Sequence, residues 1–330
     1  MTSTLKLRGG FSENPRLVPL LQDRVRPRGI EIEWDIEAPN SMFHRHLKED
    51  SFDVFEFSIS NYLISREKRH GDHWDWIGIP IFLSRAFLSF NAFTNVSSGV
   101  NGFADLKDKR FGLPDFPMTA GLWMRIMIRE LYGIGVQDVT WYNGREPAVS
   151  HSVQMGVDRD PPKAPLVWMQ QPGQLSRMLH DGEIDAAFGD AGVAKIQPGP
   201  NVRPLFDDGG RSVVEAFYHR TGFTPVNHTL MVQRRVVEKD PWVAESLYEA
   251  FEESKQQSYR DAQESQSAYM LFPGTDFARQ QEAFGPDPYP SGLRMNRQML
   301  IMAAQESFDE GLTHKLVDID DLFAEPVRQT

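Results

Sequence analysis

Cysteine is absent from the 330 residues. That excludes disulfides, thiol nucleophiles and thiolate metal sites, and leaves the redox compartment open. Long hydrophobic runs are missing too, none approaching the roughly 18 residues that span a bilayer. Positive charge is in deficit, with 35 Lys and Arg against 46 Asp and Glu, a net charge of −11. The balance argues against a nucleic-acid partner or an anionic membrane surface, so the expectation is no nucleic acid and no membrane. It also means that an anionic ligand has to be held by locally placed cations. The first residues, MTSTLKLRGGF, run straight into an alternating pattern without a charged or apolar leader region. The expectation is therefore a cytoplasmic protein starting at Met1. No P-loop, GxGxxG, GxSxG or HExxH pattern occurs, and there are neither internal repeats nor low-complexity tracts. What remains, 40% hydrophobic and 25% charged residues, is the composition of a soluble globular chain long enough for two domains.

The stretch that organises the chain is Asp105 to Ile134. A charged turn feeds a short apolar strand, Arg110–Leu113, and a Pro-bounded loop follows. A helix then opens near Met118-Thr119, with Leu122, Trp123, Ile126, Met127 and Leu131 at helical spacing and Gly133 closing it. A strand, a loop and a helix N-terminus make a ready anion site, because the first backbone N–H groups lack intrahelical partners and the dipole is positive there. Thr119 adds a hydroxyl. The alternative is an ordinary strand-to-helix connection whose N-terminus meets only water.

Around that stretch the order is regular. Strands are predicted at Leu5–Phe11, Ile30–Ile36, Phe52–Ile59, Trp76–Leu83 and Phe87–Thr94. Helices are expected at Pro15–Val25, from a Ser41 cap through Lys48, and from Asn61-Tyr62 to near Arg69. This βαβαβ start predicts a mainly parallel sheet with right-handed crossovers. Further strands follow at Val139–Tyr142, Ile184–Phe188 and Val202–Phe206, with helices at Gly173–His180 and Glu215–Arg220. Ser150–Pro165, polar and Pro-rich, reads as a surface excursion. Thr229–Gln233 reads as a strand returning to the first sheet, followed by helices at Pro241–Ala262 and Asn296–Phe308. The chain thus reads as one lobe (residues 1–96 and 229–330) with a second inserted in it (97–228). Two crossings imply a hinge and a ligand-binding cleft.

FDVFEFSISNY at 52–62, LSRAF at 83–87 and DLKDKRFGLPDFPMTAGLWMR at 105–125 carry a family likeness. So do FYHRTGFTPVNH at 217–228 and PYPSGLRMNR at 288–297. Together, over nearly the whole chain, they resemble the 4,5-dihydroxyphthalate decarboxylase family. That resemblance implies an α/β, two-lobed fold of periplasmic binding protein type II kind, with two mixed sheets flanked by helices around a central cleft. It implies a carboxy-lyase of aromatic catabolism, active in phthalate degradation, that releases CO2 from a hydroxylated aromatic dicarboxylate to leave protocatechuate. No organic cofactor is implied, because the phenol itself supplies electrons. The rival reading is a solute-binding protein that holds a small anion and does no chemistry. The absence of a leader favours the enzyme. A homo-oligomer is left open. The segment after Gly144, REPAVSHSVQMGVDRDPPKAPLVW, departs from the family pattern and can line the cleft, which puts the substrate's identity in doubt.

Decarboxylation needs the carboxylates held, the ring made electron-rich and a general acid to protonate the carbon that loses CO2. Arg85, at a strand end between apolar flanks, is the candidate carboxylate clamp, with the Thr119, Ala120 and Gly121 N–H groups on another oxygen. Its alternative is a structural ion pair. His228, where the chain recrosses the hinge, is the candidate proton donor, against a hydrogen-bonded structural role. Ser58, Ser60, Asn61 and Tyr62 can bind phenolic oxygens, or Ser60 and Asn61 can cap the helix. Asp190 can orient the histidine or accept a phenol proton, or merely cap its turn. Arg220 is a second carboxylate ligand or a surface charge, and Asn296 and Arg297 read as caps of the last helix. No metal site is assigned. His44 and His46 point to different helix faces, and His70-Gly-Asp-His73 lacks a third ligand at a known spacing.

Overall fold

The protein, seen in a computed structural model, is described here for residues 4–67, 73–85, 91–189, 195–269 and 275–330. The first sheet has five strands in the order β2 (Ile30–Ile36), β1 (Leu5–Phe11), β3 (Val54–Ser58), β11 (His228–Gln233) and β4 (Trp76–Ser84). β1 runs parallel to β2 and β3, whereas β11 is antiparallel to both β3 and β4. The expected parallel start is therefore present, and the returning strand makes the sheet mixed. β3 is buried along its whole length, as a strand between two others with both faces covered has to be.

The second sheet has six strands: β10 (Val202–Pro204), β5 (Ala92–Asn95), β9 (Ala186–Phe188), β6 (Arg110–Leu113), β7 (Thr140–Asn143) and β8 (Leu166–Trp168). β6 to β9 form its parallel part, β5 runs antiparallel to β9 at one side, and β10 pairs antiparallel with β5 beyond it. The expected boundary at residue 96 falls just past β5, a strand already paired within the second sheet, so the first crossing lies between β4 and β5. The largest core cluster draws on both sheets, with Phe55, Phe57 and Trp76 from one and Phe111 and Trp141 from the other, joined by Trp123 from the helix that follows Phe111's strand.

Several expected elements shift. The helix predicted to start at Ser41 is α2 (Pro39–Glu49), with proline in its first turn, where a missing N–H costs nothing. The helix after β3, α3 (Ile59–Ser65), is capped by Ser58, whose hydroxyl accepts from the Asn61 N–H at 3.3 Å. Predicted helix 215–220 is α7 (Arg211–Thr221), and α9 (Trp242–Tyr269) outlasts its predicted end by seven residues. α10 (Thr275–Phe284) lies between the last two predicted helices, where no element is predicted. The supposed surface excursion at 150–165 is the largest correction. Ser150, His151, Ser152, Met155 and Val157 are all buried, and a short helix, α5 (His151–Gln154), packs against α2.

The last long helix, α11 (Leu293–Asp309), and the turn after it bolt the two sheets' layers together. Helix α4 (Thr119–Tyr132) sends Arg125, buried at 2% exposure, into a bidentate pair with Glu310 at 2.6 and 2.7 Å. Arg129 of the same helix pairs with Glu306 of α11. Trp123 Nε1 donates to the Val226 carbonyl at 2.8 Å.

Candidate active site

The C-terminal ends of the parallel strands in both sheets face one another, and open α/β sheets bind ligands at such ends. A cavity of about 240 Å³ lies there. That is below the ~300–1,000 Å³ of pockets for drug-sized molecules, and suits a ligand of about one substituted ring. The lobe built on the first sheet lines it with Asn40, Phe43, Ser58, Asn61, Asn227 and His228, and the lobe built on the second with Met118, Thr119, Ala120, Arg145, His151 and Phe188, together with Pro39 and Asn91.

His228 is placed by strand register. It pairs across with Ser58 on β3, and Leu230 pairs with Glu56, so His228 and Glu56 are diagonal neighbours on one face of the sheet. On the β4 side the register slips between His228 and Leu230, and such a bulge re-aims a side chain. His228 Nδ1 lies 2.6 Å from Glu56 Oε1. A carboxylate only accepts, so Nδ1 carries a proton and Nε2 is the ring nitrogen left to the cavity. The Ser12 N–H and hydroxyl donate to the other Glu56 oxygen at 2.9 and 2.5 Å. Burial alone would push the Glu56 carboxyl up. The hydrogen bond and charge of His228, with the two Ser12 bonds, hold it below the ordinary carboxylate range instead. Phe43 meets the His228 ring edge-on at 4.9 Å.

The opposite wall hangs from Asp115, in the loop between β6 and α4. Its carboxylate accepts from the His151 N–H at 2.9 Å, from the hydroxyls of Ser150 and Ser152, and from Arg145 at 3.4 Å. That one side chain fixes the loop after β7, and with it the position of Arg145 and His151. Gly144 lets this loop pack closely, since a Cβ there would meet the Leu175 side chain at 2.9 Å and the Leu113 carbonyl at 3.2 Å. Arg145 also reaches Asn40 Oδ1 at 2.5 Å, and His151 Nε2 lies 3.1 Å from the Asn40 carbonyl, so both bridge the two sheets. A third bridge joins the Thr119 hydroxyl at the start of α4 to Ser58 Oγ at 2.7 Å and to the Ser60 N–H at 3.1 Å. α4 has no side-chain N-cap, so its first N–H groups face the cavity end with their partial positive charge. Among the described residues, Asn61 Oδ1 and Asn227 Oδ1 are buried without a hydrogen-bond partner, two polar amide ends in the lining that a ligand can satisfy.

Of the residues singled out in the sequence, His228, Ser58, Asn61, Thr119 and Ala120 come together here. Ser60 and Gly121 are buried beside the cavity without lining it. Tyr62 points elsewhere. Its hydroxyl donates to the Leu322 carbonyl at 2.6 Å and accepts from the Gly78 N–H, and burial raises it to about 12. Arg85 does not line the cavity. Its guanidinium donates to the Thr224 carbonyl, to the Pro290 carbonyl at 2.9 Å and to Asn296 Oδ1 at 2.5 Å, and burial lowers it to about 10. Arg220 is exposed and pairs with Glu130 at 3.1 Å. Asp190 lies outside the described residues, as do His70 and Asp72. Among the described residues no cluster of three or more His, Asp or Glu is placed to share a metal ion. Burial pushes His46 down to about 4, and its ring stacks between Phe52 and Trp76.

Glu56, Asp115, Arg145 and His151 were not picked out from the sequence. A glutamate inside the apolar run VFEF was the available signal for the first, since a buried carboxylate needs partners. The others lie where the chain departs from family pattern or between two prolines, and their roles depend on contacts made far along the chain.

Two lobes built on separate mixed sheets, crossed twice by the chain and facing each other over a cleft, define the periplasmic binding protein type II fold. Solved structures agree. The periplasmic aliphatic sulphonate binding protein SsuA from Escherichia coli superposes with a TM-score of 0.57 at 16% identity, over 99% of each chain. The desulfurization enzyme DSZB gives 0.52 at 16% identity, over 97% of this chain and 96% of that one. In sequence, the chain is similar to 4,5-dihydroxyphthalate decarboxylase of Comamonas testosteroni, 27% identical over 326 residues and 97% of either protein. It is 29% identical over 194 residues to the protein of that name from Pseudomonas putida, covering 58% of this chain and 74% of that one. No sequence-family profile matches the chain.

Proposed function

We propose that the protein is a carboxy-lyase that removes CO2 from 4,5-dihydroxyphthalate or a related hydroxylated aromatic dicarboxylate. The observation that carries this reading is His228, held through Nδ1 by buried Glu56 and facing a one-ring cavity with an arginine and a helix N-terminus opposite. The distant likeness to two decarboxylases supports it. Arg145 and the first N–H groups of α4 bind the carboxylates. His228 in its imidazolium form gives the Nε2 proton to the ring carbon bearing the departing carboxylate. The C–C bond then breaks, its electron pair returns to the ring, CO2 leaves, and solvent reprotonates the histidine. Substrate plus one proton gives protocatechuate plus CO2. In 4,5-dihydroxyphthalate each carboxylate-bearing carbon has a hydroxyl para to it, which stabilises the protonated ring, and loss of either carboxylate gives the same product.

The second reading, a receptor for a small anion, is favoured by the shared architecture with SsuA. One assay separates the two. EDTA-treated protein is incubated with 4,5-dihydroxyphthalate, and protocatechuate is followed by absorbance and chromatography. Turnover that is lost in His228→Ala, with binding retained, supports the enzyme and its proton donor. A thermal shift with the compound but no product supports the receptor. Neither signal refutes the hydroxyphthalate as ligand.

A further inference from the structure

The cavity holds a second histidine of opposite polarity. His151 Nε2 lies 3.1 Å from the Asn40 backbone carbonyl, an oxygen that only accepts, so Nε2 carries the ring proton. In the neutral ring Nδ1 is then a bare lone pair, and among the described residues nothing donates to it. The backbone N–H of His151 is fixed by Asp115 at 2.9 Å. The ring is 6.1 Å from that of Phe43, which also meets His228 at 4.9 Å. The two histidines therefore flank one apolar ring, one offering a proton and the other a lone pair.

We infer that His151 is a specificity-determining residue whose Nδ1 accepts a hydrogen bond from a ring hydroxyl of the ligand, so that the site selects hydroxylated aromatic acids over unsubstituted ones. This rests on the aromatic-acid reading above. The ring is kept neutral by burial and by the charge of Arg145, which together push His151 down to about 4. A neutral ring is what an acceptor role needs, because a protonated one would repel a hydroxyl hydrogen. An acid lacking the hydroxyl covers that lone pair without meeting it, and such a group is costly enough to discriminate about tenfold or more. A hydroxyl that donates to Nδ1 also becomes a better electron donor to its ring, which ties ligand choice to the ease of ring protonation.

Two substitutions divide the ring's functions. The amide nitrogen of a glutamine reaches the place of Nε2, so His151→Gln keeps the bond to the Asn40 carbonyl and removes the Nδ1 acceptor. The amide oxygen of an asparagine occupies the place of Nδ1, so His151→Asn keeps the acceptor and loses the bond. Dissociation constants of protocatechuate and benzoate are measured for the wild type and both variants by calorimetry. Expected are a roughly tenfold preference for protocatechuate in the wild type, its retention in His151→Asn, and its loss in His151→Gln with benzoate affinity unchanged. A purely structural histidine would give the reverse order, and that result, or an equal affinity for both acids in the wild type, overturns the inference. Should the wild type bind neither acid, the aromatic-acid reading itself falls and takes this one with it. Nitrogen NMR of the wild type provides a test without substitution: the His151 Nδ1 resonance should shift with protocatechuate and not with benzoate. A shift with both, or with neither, refutes the assignment.

Discussion

Replacing Glu56 by glutamine tests the proton donor without touching the cavity wall. The Ser12 N–H and hydroxyl both point at Glu56 Oε2, so the carbonyl of the new amide has to face Ser12. Its NH2 group then faces His228 Nδ1, which has to become an acceptor, and the ring proton moves to Nε2. A neutral ring with Nε2–H is a far weaker acid than an imidazolium held by a carboxylate. The bond lost is one to a charged carboxylate, 2.6 Å long and shielded from water, a class worth about 1.5–3 kcal/mol. At 1.36 kcal/mol per tenfold, Glu56→Gln should lower kcat by roughly 10- to 150-fold. KM should change little, since Glu56 does not line the cavity. The measurement is protocatechuate formation at saturating substrate between pH 5 and 9, with binding of a product analogue as control. A kcat within twofold of the wild type across that range refutes the coupling of Glu56 to the proton step.

Arginine substitutions should separate binding from folding. Arg145→Ala is expected to weaken binding of dicarboxylates at least tenfold, whereas Arg85→Ala, which strips bonds from Thr224, Pro290 and Asn296, should lower the unfolding midpoint and leave affinity nearly intact; calorimetry and denaturant titration check both. Breaking the buried pair of Arg125 and Glu310 by Arg125→Met should cost about 3–5 kcal/mol, because a carboxylate is left buried and alone, and urea unfolding measures it. Acid stability follows from two histidines that burial pushes down to about 4 from an ordinary 6.5. As pH falls the unfolded chain binds these protons first, so their contribution is complete above about pH 6.5 and is lost toward pH 4, by about 3 kcal/mol each at the limit. Thermal unfolding should therefore drop by several degrees between pH 7 and 4.5, and a flat profile would contradict the burial of both rings.

Strands with clear alternation were legible in the chain: β1 and β2 have the limits that their apolar periods predict. The returning strand was legible as well, because Leu230, Met231 and Val232 form an apolar run that only a sheet interior accommodates. His228 stood out through its position at that crossing. Arg85 misled, since an arginine between apolar flanks satisfies carbonyls within the fold as readily as it binds a ligand. The stretch 150–165 misled for a different reason. Its first polar residues, Ser150, His151 and Ser152, are buried because Asp115, some 35 positions earlier, satisfies them, and no local pattern encodes a contact at that separation, whereas Asp158, Arg159 and Lys163 lie at the surface as expected. The same holds for Ser12 and Glu56, 44 positions apart.

The proposed proton donor and its carboxylate belong to the lobe of the first sheet, and the arginine and helix N-terminus that would hold the substrate belong to the lobe of the second. The gap that the proposed proton transfer would cross is therefore a dimension of the whole molecule and not of one loop. It is gauged by the Ser58–Thr119 contact at 2.7 Å and clamped from behind by Arg125 and Glu310. Substitutions in that rear clamp, remote from any bound ring, would retune reactivity as a machinist's shim retunes the jaws of a vice.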